Sequence, residues 1–192
     1  MHCFLMARAT RRVEKIRILL ADDNAAFRQN LCVFLELGRQ FAVVGHARNG
    51  REAVKMARNL RPAVVLMDVA MPVLNGLEAT KQIVSANPAS KVLILSGYRS
   101  DEYADFAAAA GAVGYLEKKG SPELVTNAIL SVLNGKRAFG PTISRRIAGG
   151  RKSRGRGASA LSHRLGSSVG VTDLMNDFNG KSMPSLNSAA TV

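Results

Sequence analysis

Five short apolar runs, separated by stretches of helical periodicity, constrain this chain more than any other feature. The runs span 16–20, 41–45, 63–67, 92–95 and 113–116, and each is of strand length. Helical patterns lie between them near 25–37, 50–59, 76–85 and 101–110, and a last one follows near 122–134. Strands buried on both faces read as continuous apolar runs, and parallel neighbours need a crossover between them. Five-fold βα alternation with right-handed crossovers therefore predicts an α/β fold, a doubly wound five-stranded parallel sheet with helices on both faces.

Local signals agree with these boundaries. Arg61-Pro62 stops the second helix and Gly38 follows the first. Ser121-Pro122-Glu123 reads as N-cap, first-turn proline and first-turn acid of the last helix, with Gly135 as its C′ residue. The domain is expected to close there.

Acidic residues sit where the strands should end. Asp22 and Asp23 follow the first run, and Asp68 follows the third. Open α/β sheets bind ligands outside the carboxyl ends of their strands. Three carboxylates gathered there repel one another unless protons or a divalent cation neutralise them, which points to Mg²⁺. The fourth run leads into Ser96 and the fifth into Glu117-Lys118. A hydroxyl and an ammonium facing metal-bound carboxylates make a cradle for a phosphoryl group. Taken singly, each residue has a plainer role. Asp22, Asp23 and Asn24 are good helix caps, Asp68 a turn residue before Met71-Pro72, Ser96-Gly97 a loop start and Lys118 a surface lysine beside Lys119. Those roles do not explain why every candidate follows a separate apolar run.

The segments IRILLADDN at 16–24, VVLMDVAMPVLNG at 64–76, VLILSG at 92–97 and GAVGYLEKKGSPEL at 111–124 carry a family resemblance. In order and spacing, residues 16–135 resemble the receiver domain of a two-component response regulator of the NarL/FixJ type. The resemblance implies a flavodoxin-like (CheY-like) strand order, 2-1-3-4-5. It implies that Asp68 is the phosphoacceptor, that Asp22 and Asp23 hold Mg²⁺ together with it, and that Ser96 and Lys118 stabilise the phosphoryl group. A sensor histidine kinase is then the implied donor, and Tyr115, three residues before the lysine, the implied switch partner of Ser96. The implied output is the face formed by 99–134, through homodimerisation or partner binding. There Asp101, Glu102 and Asp105 would meet Lys118-Lys119 or Lys136-Arg137 of a second copy. Slow self-dephosphorylation is expected, without making the protein an enzyme in the usual sense. Ser96 replaces the more usual threonine, and Ala70 puts no polar side chain beside the acceptor; the second departure is expected to tune phosphate lifetime.

At 192 residues and 47% hydrophobic composition, the chain can bury one core of ordinary size, with a remainder left over. No apolar run approaches the ~18 residues of a membrane span, and MHCFLMARATRR is too short in apolar character for a secretory signal. A cytoplasmic protein without membrane contact is expected. Cys3 and Cys32 make neither a disulfide framework nor a thiolate site, with Cys32 read as a small buried hydrophobe. His2, His46 and His163 have no ligand spacing.

Net charge is +13 and unevenly spread. Residues 136–192 hold ten Lys and Arg against Asp173 and Asp177, net +8, which leaves +5 for 1–135. The expected organisation is a disordered extension at 1–14, the receiver domain at 15–135 and a basic flexible linker at 136–165. A degenerate or truncated helix-turn-helix remnant, or a largely disordered basic tail, follows at 166–192. Thr172-Asp173, Gly180-Lys181-Ser182 and 186–192 resemble pieces of a LuxR-type helix-turn-helix, without room for a complete recognition helix. Two outputs stay open: a transcription regulator whose basic tail contacts DNA phosphates, or a receiver-only module acting through protein contact. Salt-dependent, weakly sequence-selective DNA binding distinguishes them. A hydrolase of the same architecture has little support, since no separate nucleophile and base are visible.

Overall fold

A computed structural model of the protein describes residues 14–97 and 101–150. Five strands, β1 (Ile16–Ala21), β2 (Phe41–Ala47), β3 (Val64–Asp68), β4 (Lys91–Ser96) and β5 (Gly114–Glu117), form one sheet in the order β2-β1-β3-β4-β5. Every pairing is parallel. The helices are α1 (Ala25–Leu37), α2 (Gly50–Leu60), α3 (Gly76–Ala86), α4 (Asp101–Ala109), α5 (Pro122–Leu133) and α6 (Pro141–Gly150). This is the doubly wound, CheY-like sheet expected from the sequence.

Alternation along the strands divides the core between two faces. Ile18, Leu20, Leu66, Leu93 and Leu95 pack with Leu31 and Leu35 of α1 and with Val125, Ile129 and Val132 of α5. The intervening Leu19, Val65, Met67, Val92 and Ile94, all at most 0% exposed, turn to the other face. Cys32 is only partly buried, packed against the first cluster. Among the described residues no helix is long and apolar enough to cross a membrane.

Asparagines start the first three helices. Asn24, Asn49 and Asn75 accept from the amides of Phe27, Glu52 and Glu78 at 3.0, 2.8 and 2.9 Å, each satisfying a donor that the first turn leaves unpaired. At α5, Pro122 takes the first turn, but Ser121 makes no side-chain cap bond. Gly135 ends α5 with φ +76. Its amide donates to Val132 O and that of Lys136 to Ser131 O, the paired bonds of a Schellman motif.

Ordered structure continues past Gly135, where the sequence reading places a flexible linker. Ala138 forms a parallel bridge with Gly114. Its amide donates to Val113 O and its carbonyl accepts from Tyr115 N, each at 2.9 Å. Gly114 permits this approach, since a Cβ there would stand 2.7 Å from Ala138 Cβ. Pro141 then opens α6, and Ile143 is 1% exposed. The described residues up to Ile147 accordingly cluster as one compact unit. The expectations for 1–13, for the linker from 151 and for the helix-turn-helix remnant lie outside the described residues.

Candidate functional site: an acidic cleft faced by a lysine

The carboxyl edge of the sheet collects the charged groups. Asp68 is the last residue of β3 and Ser96 the last of β4, each one step further into the sheet than the apolar runs imply, because Asp68 pairs with Leu95 and Ser96 with Glu117. Asp22 and Lys118 follow directly on β1 and β5. Asp22, Asp23 and Asp68 offer oxygens that all lie within 4.8 Å of one another, with Asp22 and Asp68 buried and Asp23 exposed. Three hard oxygen donors at this spacing, open to solvent on the Asp23 side, fit a hard divalent cation such as Mg²⁺.

Lys118 supplies the opposing charge. Its Nζ lies 2.8 Å from Asp22 Oδ2 and 3.0 Å from Asp68 Oδ2. Its backbone amide donates to Ser96 O at 2.8 Å, tying the turn after β5 to the end of β4. The Phe27 ring closes one side of the ammonium, with its centroid 5.0 Å from Nζ.

The titration behaviour follows from this arrangement. Burial pushes the Asp68 carboxyl above the usual carboxylate range, the bond and charge of Lys118 oppose the shift, and the Asp22 charge adds to it. Burial disfavours the Lys118 ammonium, yet bonds to Asp22 and Asp68 hold its pKa above the ordinary lysine value. The partners do not mirror each other, because one ammonium faces two carboxylates while Asp68 meets one cation, a like charge and the loss of water. Burial likewise raises the Tyr115 phenol, which a hydrogen bond with the Ser96 side chain partly offsets.

Several contributors escape a reading of the sequence alone. Asn24 N donates to Asp22 Oδ1 at 2.9 Å, and Arg28 Nη1 donates to the Asp22 backbone carbonyl at 2.6 Å, so the start of α1 holds Asp22 by its carboxylate and by its main chain. Beneath Asp68, Gly76 leaves no room for a side chain: an added Cβ would overlap the Asp68 carbonyl. The neighbouring NG pair at 75–76 is the signal of this close approach. Phe27 carries no comparable signal, since an aromatic in the first turn of a helix is usually core.

A 2-1-3-4-5 parallel sheet with acids and a lysine gathered at its carboxyl edge defines a CheY-like signalling module. Residues 18–130 match the response regulator receiver domain, and the chain belongs to that family. It is 38% identical over 129 residues to transcriptional regulatory protein LnrK of Bacillus subtilis, covering 67% of this chain and 59% of that protein. The chain thus spans about three fifths of the length of the curated relatives it matches. Among solved structures, a LuxR-family response regulator from Aurantimonas superposes with TM-score 0.65 at 34% identity, over 72% of this chain and 99% of that one. The receiver domain of the response regulator NarL from Mycobacterium tuberculosis superposes with TM-score 0.62 at 28% identity, over 64% and 99%.

Proposed function

We propose that this chain is a phosphoacceptor of a two-component phosphorelay, with Asp68 as the acceptor and a sensor histidine kinase as the donor. The observation that carries the reading is the convergence of Asp22, Asp23 and Asp68 with Lys118 at one sheet edge. An Asp68 oxygen attacks the phosphorus of a phosphohistidine; the new O–P bond forms as the N–P bond breaks, and the electron pair leaves on the imidazole nitrogen. Asp22, Asp23 and Asp68 would hold Mg²⁺, which when bound would supply charge neutralisation for the transferring oxygens. Lys118 is placed to exchange its 3.0 Å contact with Asp68 for a phosphoryl oxygen. The protein is modified once per cycle and does not turn over a separate substrate, so it is a signalling switch and not an enzyme in the usual sense.

Phosphorylation adds about −1.5 to −2 charge and strong acceptor oxygens. Ser96 ends β4, the strand beside β3, and its bond with Tyr115 couples any movement to β5. The output face then comprises α4, β5 and α5 within 99–134, used for dimerisation or partner binding. A second reading, a DNA-binding transcription regulator acting through its basic C-terminal region, rests on the net +8 of residues 136–192 and on relatives that are transcriptional regulators.

Intact-mass measurement after treatment with a small phosphodonor and Mg²⁺ tests the first reading. One added phosphoryl group in the wild type and none in Asp68→Asn is the expected result. Labelling that persists in Asp68→Asn moves the acceptor elsewhere. Gel filtration of the phosphorylated protein tests dimerisation, and an unchanged monomer rules it out.

A further inference from the structure

The end of the sheet opposite the acidic cleft carries the reverse charge. A cleft of about 740 Å³ opens there, at the amino ends of β1 and β3, and Lys15, Arg17, Arg58 and Arg61 line it against a single acid, Glu14. Arg17 Nη2 donates to Leu60 O at 2.8 Å, which steadies the guanidinium and leaves its other donors available. Arg58 links this cleft to α2, where Arg51, Lys55 and Arg58 are all exposed at i, i+4 and i+7. That spacing makes one ridge about 10 Å long.

Nothing on α2 neutralises the ridge. Its only acid, Glu52, accepts from Arg48 N at 2.9 Å and from Arg48 Nη2 at 3.2 Å, and those bonds hold its carboxyl below the ordinary range. On the neighbouring α3, Glu78 is bonded to Lys81 at 2.7 Å. Glu52 and Glu78 are therefore matched to other cations, which leaves Glu14 as the one acid lining the cleft.

We propose that the α2 ridge and the basal cleft form a docking surface for the phosphodiester backbone of duplex DNA, separate from the basic residues beyond 150. Duplex DNA carries one charge per ~1.7 Å of axis, so a 10 Å ridge faces several phosphates. Most of the cations are arginines, whose planar fork matches phosphate oxygens. The exposed large hydrophobics, Val33, Leu37, Val73, Phe106, Leu124 and Leu133, all lie elsewhere, which argues against insertion into a lipid surface. No aromatic lies on α2 or lines the cleft, which argues against single strands held by base stacking.

The basal cleft is remote from Asp68, whereas the Arg51 end of the ridge adjoins the loop after β3, where Gly50 N donates to Leu74 O at 3.0 Å. Five or six strand residues at ~3.3 Å each separate the two ends of the sheet by ~15–20 Å, about twice the Debye length at physiological salt. The cleft and the Arg58 end of the ridge hold the module on DNA in either phosphorylation state, and a phosphate at Asp68 reaches the docked surface only through the Arg51 end.

Fluorescence anisotropy of the full chain with a labelled duplex of arbitrary sequence, across a salt series, tests the proposal. Arg51→Gln/Lys55→Gln/Arg58→Gln keeps good helix formers, and far-ultraviolet circular dichroism checks its fold. The slope of log K against log salt is expected to shrink by ~2.7, with weaker binding at every salt and unchanged sequence preference. If the triple variant does not fold, Arg51→Gln/Lys55→Gln is expected to shrink it by ~1.8. A wild-type slope in a folded variant overturns the proposal. So does loss of all binding in Arg151→Gln/Lys152→Gln/Arg154→Gln/Arg156→Gln, or binding to phosphatidylglycerol vesicles with none to the duplex.

Discussion

The backbone amide of Tyr115 donates to the carbonyl of Ala138 at 2.9 Å. The residue whose hydroxyl meets Ser96 at the acidic edge thus also fastens the segment that leads from α5 into α6. A change of β5 at Tyr115 and a change in the hold on residues 136–147 are mechanically linked.

Gly114→Ala should loosen that hold. The new Cβ would meet Leu93 Cδ2 at 2.5 Å and Ala138 Cβ and O at 2.7 Å each, so the Leu93 side chain and the segment or the strand must shift. Overpacking of this kind costs about 1–3 kcal/mol. Hydrogen exchange should show faster loss of protection at Ala138 than at β2, on the far edge of the sheet. Equal protection in the variant and the wild type would show that the bridge contributes little.

Lys118 should behave as an internal counter-ion. Both its carboxylate contacts are with largely buried partners, and its own side chain is 18% exposed. Lys118→Gln leaves Asp22 and Asp68 without it, and losing one member of such a buried group costs about 3 kcal/mol. Metal binding at those oxygens should restore much of the loss. Denaturant titrations with and without millimolar Mg²⁺ check this, the variant gaining more from Mg²⁺ than the wild type does.

The strands and the site were legible in the sequence because burial on both faces turns β3 and the carboxyl-terminal parts of β1 and β4 into apolar runs, which leaves the next polar residue to mark each strand end. Asp22, Asp68 and Ser96 became candidates by that rule; Lys118 comes second after its run, behind Glu117, and its ammonium was what singled it out. The Ala138 bridge was not legible, because one small residue pairing with Gly114 has no period and Ile143 is the one buried apolar side chain of its helix recorded among the described residues. Phe27 beside Lys118 was hidden for another reason: the two are 91 positions apart, and only the packing of α1 on the sheet face that it shares with α5 brings them within 5.0 Å.

The raised pKa of Asp68 has a defined sign in metal-free protein. A carboxyl whose folded pKa lies above its unfolded value binds more protons in the folded state. Its contribution to stability is therefore complete below the unfolded pKa and is lost as pH rises through the folded one. Asp68→Asn should remove this dependence, seen as a smaller fall in metal-free Tm between acid and neutral pH. Mg²⁺ needs the deprotonated carboxylate, so its stabilising effect should strengthen over the same interval as pH rises. Thermal melts of both proteins with and without Mg²⁺ measure the two effects. Identical pH profiles would remove Asp68 as their source.

Val73 is the strained point of the loop between β3 and α3. Its φ is +69, and Leu74 N donates to Pro72 O at 2.8 Å, closing a three-residue γ-turn around it. A β-branched residue there is a genuine outlier, and the left-handed region costs an L-residue about 1–2 kcal/mol. The side chain is 71% exposed and gains little from packing in return. Val73→Gly relieves the strain and restores unfolded-chain entropy worth about 0.5–1 kcal/mol in the opposite direction. The net expectation is a gain of up to about 1 kcal/mol, read from the denaturation midpoint at unchanged m-value. Leu74 also accepts from Gly50 N at 3.0 Å, so the turn links the start of α2 to the Asp68 loop. Relaxing it should therefore alter the rate of Asp68 labelling as well as stability. A stability gain with an unchanged labelling rate would place the strain outside the phosphorylation chemistry; a loss of stability would mean that the Val73 side chain holds the turn.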